Sequence, residues 1–316
     1  MLAGTSFGRQ TEDIEIQDAR TEKMPERLPE LNGHRFFPSS LVGNPFIRSA
    51  VRIATGGGYV SDLTFRFEHP ELGELLSLRG DLGFLTSELA YEHALDDFVS
   101  LHVKGNILAR IATHEQSILS QGITVVVGYA LGMRVRVWEN EKLYTSLNGS
   151  FSRSSLIGVT PLQFVKKIIE KGYDPNGEND LIRTELSARF IFGGDIAYAP
   201  YAYLGIIGHA GFGVSNPFED GQPDIPVSNF ALSVHLDLGP LTSTPIGFTL
   251  GFITDSLSPA ANDFARRTAS VIFGISYTGR RDFDFGLELA SASINQAGVD
   301  DRFAAGIARF HSTYYF

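Results

Sequence analysis

Residues 98–112 read FVSLHVKGNILARIA. Val99, Leu101, Val103, Ile107, Ala109 and Ile111 hold one phase of a two-residue repeat, and Ser100, His102, Lys104, Asn106 and Arg110 hold the other. Strict alternation over such a stretch predicts a strand with one apolar and one polar face. The run is more than twice as long as a usual strand of about 5–6 residues.

The same period returns along the chain. Val125, Val127, Tyr129, Leu131, Met133, Val135 and Val137 alternate with Thr124, Val126, Gly128, Ala130, Gly132, Arg134 and Arg136. Phe230, Leu232, Val234, Leu236 and Leu238 oppose Asn229, Ser233, His235 and Asp237. Leu186, Ala188, Phe190 and Phe192 oppose Glu185, Ser187 and Arg189, and Phe283, Phe285, Leu287 and Leu289 oppose Asp284, Gly286 and Glu288. Short turns are expected at Asp96–Asp97, Glu139–Glu141, Asp195–Pro200, Gly239–Thr244 and Gly279–Asp282. Longer polar loops are expected at Tyr59–Leu82, Thr113–Ser120, Leu156–Asp180, Ser215–Val227, Asp255–Phe264 and Asn295–Arg302. Adding a strand at each end, Arg48–Gly57 and Phe303–Phe316, predicts about twelve strands. Even strand number, with short and long connections in alternation, is the pattern of a closed antiparallel transmembrane β-barrel.

The bulk numbers narrow the function. A net charge of −10 argues against a nucleic-acid surface, which needs clustered Lys and Arg. The absence of cysteine excludes a disulfide framework and a thiolate metal site. No acidic loop has EF-hand spacing, and no motif calls for a cofactor. No stretch approaches the roughly 18–20 apolar residues of a membrane helix. The start, MLAGTSFGRQTEDIEIQDARTEK, lacks a basic n-region followed by an apolar h-region, so an exported form would be numbered from its mature chain.

Two regions are expected. Residues 1–46 form an N-terminal periplasmic extension or plug, and residues 47–316 form the barrel. The first 31 residues are charged and without period. Residues 32–46, NGHRFFPSSLVGNPF, are denser in Pro, Gly and Phe and read as an ordered irregular lead into the first strand. They could enter the lower lumen, with Phe36 and Phe37 against inward residues, or lie outside the rim. One short helix is expected in an external loop, at TPLQFVKKIIEKG, residues 160–172. There Thr160 would be the N-cap, Pro161 the first helical residue, Gln163 the capping-box partner and Gly172 the C′ residue.

The chain ends FHSTYYF, residues 310–316. Phe310, Tyr314 and Phe316 share one phase, with Gly306 upstream, and Arg309, His311, Thr313 and Tyr315 share the other. This resembles the C-terminal signal of Gram-negative outer-membrane β-barrel proteins. The resemblance implies the bacterial outer membrane as location, its lipid as surroundings, and recognition of Phe310, Tyr314 and Phe316 by the barrel-assembly machinery. Physical chemistry agrees: a sheet crosses lipid only when closed, so that every backbone N–H and C=O is paired. The apolar face then turns outward and the polar face lines the lumen. Tyr129, Tyr277, Tyr314 and Phe316 suit interfacial aromatic girdles. A soluble β-sandwich would leave the strands too long and the terminal Phe unexplained. Asn44-Pro45-Phe46 resembles the Asn-Pro-small motif in the N-terminal hatch of outer-membrane fatty-acid transporters. Those chains are longer and have two more strands, and no assignment is carried from three residues.

On the inward phase the sequence places Arg52, Glu88, Glu92, His102, Lys104, Arg110, Arg134, Arg136, Glu185, Arg189, His209, His235, Asp237, Asp284, Glu288, Arg309 and His311. Both signs are present in a barrel too small for a wide aqueous channel. Three uses are open. The first is a narrow, mixed-charge channel or transporter for a small polar solute. The second is a closed, salt-bridged barrel whose external loops bind a partner. The third is an outer-membrane hydrolase. The outer-membrane phospholipase carries a Ser and a His two apart toward lipid, whereas Ser233 and His235 take the inward phase here. Outer-membrane proteases need acids beside a His near the loop ends; Asp195, Asp255 and Asp263 are expected at strand ends with no His at matched height. The channel is the favoured reading, with no catalytic, cofactor or metal residues assigned and the oligomeric state undetermined. ATGGGYV, residues 54–60, precedes no helix, so it fails as a phosphate cradle and reads as a bend or close approach.

Overall fold

In the computed structural model the chain is described over residues 29–69, 73–112, 123–159, 182–216, 224–256, 267–295 and 302–316. The first elements are two short strands, β1 (Glu30–Leu31) and β2 (His34–Arg35), joined through Asn32 and Gly33, both at positive φ. Asn-Gly is the pair that the tight two-residue hairpin favours, because both positions need φ above zero.

Twelve long strands follow: β3 (Ala50–His69), β4 (Gly73–Ala94), β5 (Val99–Ala112), β6 (Ile123–Glu139), β7 (Leu143–Val159), β8 (Ile182–Tyr201), β9 (Leu204–Asn216), β10 (Ile225–Asp237), β11 (Ile246–Asp255), β12 (Arg267–Tyr277), β13 (Phe283–Asn295) and β14 (Arg302–Tyr315). Each pairs antiparallel with its sequence neighbours, and β14 pairs with β3 to close the barrel, from Tyr315↔Ala50 to Ala305↔Val60. Closure leaves no free edge among these strands, as a lipid-facing sheet requires.

Both ends of the barrel sequence lie at one rim. There Phe316 N donates to Ser49 O at 3.1 Å. The tight connections 95–98, 140–142, 202–203, 238–245 and 278–282 lie at this same rim. Among the described residues the one helix, α1 (Gly239–Thr242), is in the connection 238–245, so it belongs to the short-turn rim and not to an opposite-side loop. The helix expected over residues 160–172 lies outside the described residues.

Two boundaries differ from expectation. The stretch Tyr59–Leu82 is not a loop; β3 and β4 run through it and pair as far as His69↔Gly73. Its many charges read as loop, but the alternation of Leu63, Phe65 and Phe67, and of Leu76 and Leu78, continues and the ladder follows it. A register shift between Val60 and Leu63 absorbs the break in phase. The stretch Asp195–Pro200 is not a turn either. β8 continues to Tyr201, and Gly193-Gly194 is interior strand.

The two faces separate as the alternation predicts. Leu85, Leu131, Phe212 and Val271 are among the exposed large apolar side chains that cover the outside of the wall. Aromatic side chains gather at the short-turn rim. Phe316 stacks at 6.2 Å from both Tyr91 and Tyr314, and Tyr277 stacks on Phe285 at 5.3 Å. Tyr129 sits apart from this girdle, opposite Gly105 in the middle of the β5–β6 ladder. A continuous apolar belt of this kind is the surface of a barrel surrounded by hydrocarbon.

Candidate functional site

Residues 29–49 occupy the lumen at the short-turn rim and touch the inner wall on several sides. Asn32 Nδ2 donates to Ala199 O and Pro200 O, each at 3.1 Å. Arg35 donates to Thr278 O at 2.8 Å and Phe283 O at 3.1 Å. Ser40 N donates to Glu288 Oε1 at 2.7 Å, and its hydroxyl to Oε2 at 2.5 Å. Ile47 N donates to Tyr144 Oη at 3.0 Å, and Ser146 Oγ to Pro45 O at 2.8 Å. Irregular backbone within a barrel is sustainable only when its polar groups are satisfied like this.

Apolar packing completes the seat. Phe36 and Phe37 are almost wholly buried. Phe36 lies 5.1 Å from Phe46, which lies 4.8 Å from Tyr144; Phe37 lies 5.2 Å from His235. Two wall glycines make room. A Cβ at Gly205 would stand 2.4 Å from the His34 ring and 2.6 Å from Phe36, and one at Gly247 would stand 2.3 Å from Phe37 Cζ. At the rim, Arg48 lies over the Tyr315 ring at 4.4 Å, and Tyr315 Oη donates to Asp284 Oδ2 at 2.6 Å. Burial pushes the His34 imidazole down to about 4, against the pull of the Ala202 carbonyl and the Asp237 carboxylate.

Adjoining this seat is a layer of charged side chains. Glu88 is shared by Lys104 at 2.7 Å, Arg52 at 3.1 Å and Arg309 at 3.7 Å. Glu92 accepts from Arg134 at 2.6 Å and from Ser100 Oγ at 2.7 Å. Farther round the wall, His209 Nδ1 bonds Asp195 at 2.7 Å while its Nε2 faces Asn229 Oδ1 at 3.2 Å. Asn148 also donates to Asp195, and Arg134 Nε stands 3.7 Å from it, so the network runs round the wall over β6, β7 and β8. Arg189 forms a two-pronged pair with Asp255, at 2.6 and 3.1 Å. Opposite charges facing across a narrow lumen pair because an isolated charge away from bulk water is costly.

The other expected lumen residues fall as follows. His235 Nε2 shares a hydrogen bond with Ser233 Oγ at 2.8 Å and is sealed beneath Phe36 and Phe37. Asp237 accepts from Gly239 N at 2.9 Å and Thr278 Oγ1 at 3.1 Å, close to the rim. Glu288 is held by Ser40, with His311 Nδ1 at 3.5 Å. Arg136 pairs with Glu139 and lies 4.5 Å over the Phe98 ring, so it belongs to the rim. Arg110 is half-buried on β5, opposite Phe84. The Glu185 side chain lies outside the described residues. Phe310, Tyr314 and Phe316 are exposed on the outer face, away from the lumen.

The chemistry expected of an enzyme has a mixed footing here. The Ser233–His235 pair is buried and walled off by Phe36 and Phe37. Asp195, however, has a His at matched height: Asp195 and His209 are register partners in mid-ladder, not residues of a strand end. Gly193-Gly194 before Asp195 looks like a turn in sequence; in the fold a Cβ at Gly193 would meet the backbone of β9 at 2.7 Å. Among the described residues no cluster of three His, Asp, Glu or Cys side chains suits a metal ion. Gly205 and Gly247 fall on inward positions of the sequence pattern and let bulky neighbours pack, whereas Tyr144 and Asn229 are parts of the site that sequence reading did not assign. Their inward phase beside an aromatic-rich N-terminal segment was the available signal.

No protein-family model matches the sequence, and no curated protein matches it. Among solved structures, an outer membrane channel from Pseudomonas putida F1 is similar, with a TM-score of 0.53 at 10% identity over 89% of this chain and 100% of that one. The NanC porin aligns with a TM-score of 0.48 at 9% identity, over 85% and 100% of the two chains. The translocator domain of the autotransporter NalP from Neisseria meningitidis aligns with the same score and identity, over 85% and 88%. At such low identity the likeness to the Pseudomonas channel speaks for the fold: the chain has the fold of a Gram-negative outer-membrane β-barrel.

Proposed function

We propose that this chain is an outer-membrane channel for small polar solutes, closed on its short-turn side by residues 29–49. The observation that carries the reading is the combination of a charged inner wall with a seated N-terminal segment. A barrel built only as an anchor has no need of polar side chains such as Lys104, Arg134, Asp195 and His209 on its inner face. The similar structure from Pseudomonas putida is named a channel, which supports the same reading. Since short connections and termini face the periplasm in barrels of this fold, the seated segment would close the periplasmic mouth.

Planar-bilayer recording tests it. The full chain should pass small, discrete currents, and a variant lacking residues 1–46 should pass larger ones. A folded variant without residues 1–46 that remains silent would sink the channel reading. That outcome would favour a permanently closed barrel acting through its loops, a second reading that the burial of Phe36 and Phe37 supports.

A further inference from the structure

The run Thr55-Gly56-Gly57-Gly58-Tyr59 lies inside β3, where glycine contributes no side chain and weakens a strand. Gly56 and Gly58 take the inward phase, and each lies under a side chain from a neighbouring strand. Gly56 pairs with Arg309 of β14, and a Cβ there would stand 2.8 Å from Arg309 Cγ. Gly58 pairs with Phe84 of β4, and a Cβ there would stand 2.3 Å from Phe84 Cζ. The missing side chains therefore let a guanidinium stem and a phenyl ring lie against the inner wall from opposite sides. Their seats are two residues apart, about 7 Å along the strand.

Arg309 extends over Gly56 toward Glu88, where it joins Arg52 and Lys104. Among the described residues Glu88 is the one carboxylate within ion-pairing reach of these three cations. Glu92 is committed to Arg134 and Ser100, whereas Glu288, the register partner of Arg309, is held by the neutral Ser40 and keeps its charge. Three cations beside two carboxylates leave one positive charge in a confined space where its field is strong. It is also reachable: the Lys104 side chain remains 38% exposed. On the Phe84 side, Val60, Leu82 and Ala305 form a buried apolar cluster against which Phe84 packs.

We infer that this wall is a binding site for a small organic carboxylate. Its carboxylate takes Lys104 and Arg52 beside Glu88, and its ring reaches toward Phe84, four residues and about 13 Å away along β4. The inference rests on the proposed reading of the lumen as a solute pathway and names the class of solute.

Calorimetric titration of the full-length protein in detergent, with benzoate, acetate, inorganic phosphate and benzylamine as probes, reads the site without requiring current. Benzoate should bind more tightly than acetate or phosphate, and benzylamine should not bind. Lys104→Met should weaken benzoate by about tenfold or more, the loss of one charge-assisted contact, whereas Lys104→Arg should retain it. Glu88→Gln, which removes the competing carboxylate, should tighten it and guards against a misfolded Met variant. Phe84→Ala, which removes the ring, should erase the advantage of benzoate over acetate. Phosphate binding as tightly as benzoate, equal binding of benzylamine, or benzoate affinity unchanged in Lys104→Met would each overturn the assignment. A barrel that conducts but binds no benzoate defeats this inference alone. One that binds benzoate and carries no current in the variant lacking residues 1–46 defeats the channel and keeps the site.

Discussion

The Phe37 ring lies directly on Gly247, at a spacing that leaves no room for a Cβ: an added methyl would stand 2.3 Å from Cζ and 2.6 Å from Cε1. Wall and segment are thus fitted to each other at a single atom. Gly247→Val should force the ring out of its seat, at an overpacking cost of about 1–3 kcal/mol. The barrel itself, held by its ladders, should remain. The expected readout in planar bilayers is a higher open probability or conductance than the parent chain, approaching that of the variant lacking residues 1–46. An unchanged current would mean that the segment does not limit conduction.

The same seat predicts a pH response. His34 is fully buried, donates through Nδ1 to Ala202 O at 3.3 Å, and has Phe36, Phe37, His235 and Asp237 around it. With its pKa lowered from 6.5 to about 4 when seated, the released segment binds the proton more readily than the seated one. Seating is therefore at full strength above pH 6.5, weakens as pH falls toward 4, and levels off below that. The whole shift corresponds to about 3 kcal/mol. Conductance should rise between pH 6.5 and 4 in the parent chain, and His34→Phe should flatten that rise. A profile identical in the two proteins would remove His34 from the mechanism.

The barrel was legible because lipid and lumen impose a two-residue period on every strand, and residues such as Leu101, Val103 and Lys104 obey it. What no period records was not legible. Ser40 meets Glu288, 248 positions away, and Phe36 meets Gly205, through contacts that only the closed barrel brings together. Asp195 was hidden for a different reason. Gly193-Gly194-Asp195 carries turn composition, yet its glycines serve close approach of β9, so the acid lands opposite His209. Gly56 and Gly58, read as a bend or a close approach, turn out to be the latter, beneath Arg309 and Phe84. In each case the glycines serve packing inside a strand.

The orientation of the wall carries its own test. Leu131 stands midway along β6 and is 47% exposed, while its neighbour Gly132 faces in, where a Cβ would meet His102 Nε2 at 2.2 Å. Leu131→Arg should lower stability by about 2–4 kcal/mol in phospholipid vesicles, the cost of a cation near the bilayer midplane. The denaturant midpoint for folding into vesicles measures it. Gly132→Arg should disturb the lumen instead, reducing conductance with a smaller dependence on lipid. If Leu131→Arg proves neutral in vesicles, the apolar face does not meet hydrocarbon.

The final residue separates assembly from stability. Phe316 is on the outer face, half exposed, with Tyr91 and Tyr314 stacked beside it and its amide bonded to Ser49 O. Phe316→Ser keeps that backbone bond and gives up one exposed ring, so refolding of the purified chain into detergent should change little, by about 1 kcal/mol or less. In cells the same variant should reach the outer membrane in much lower yield, since the barrel-assembly machinery would lose the aromatic terminus it reads. Heat-modifiable mobility on gels, compared between whole membranes and refolded protein, distinguishes the two. Equal losses in both settings would make Phe316 a stability residue and end its proposed role as a signal.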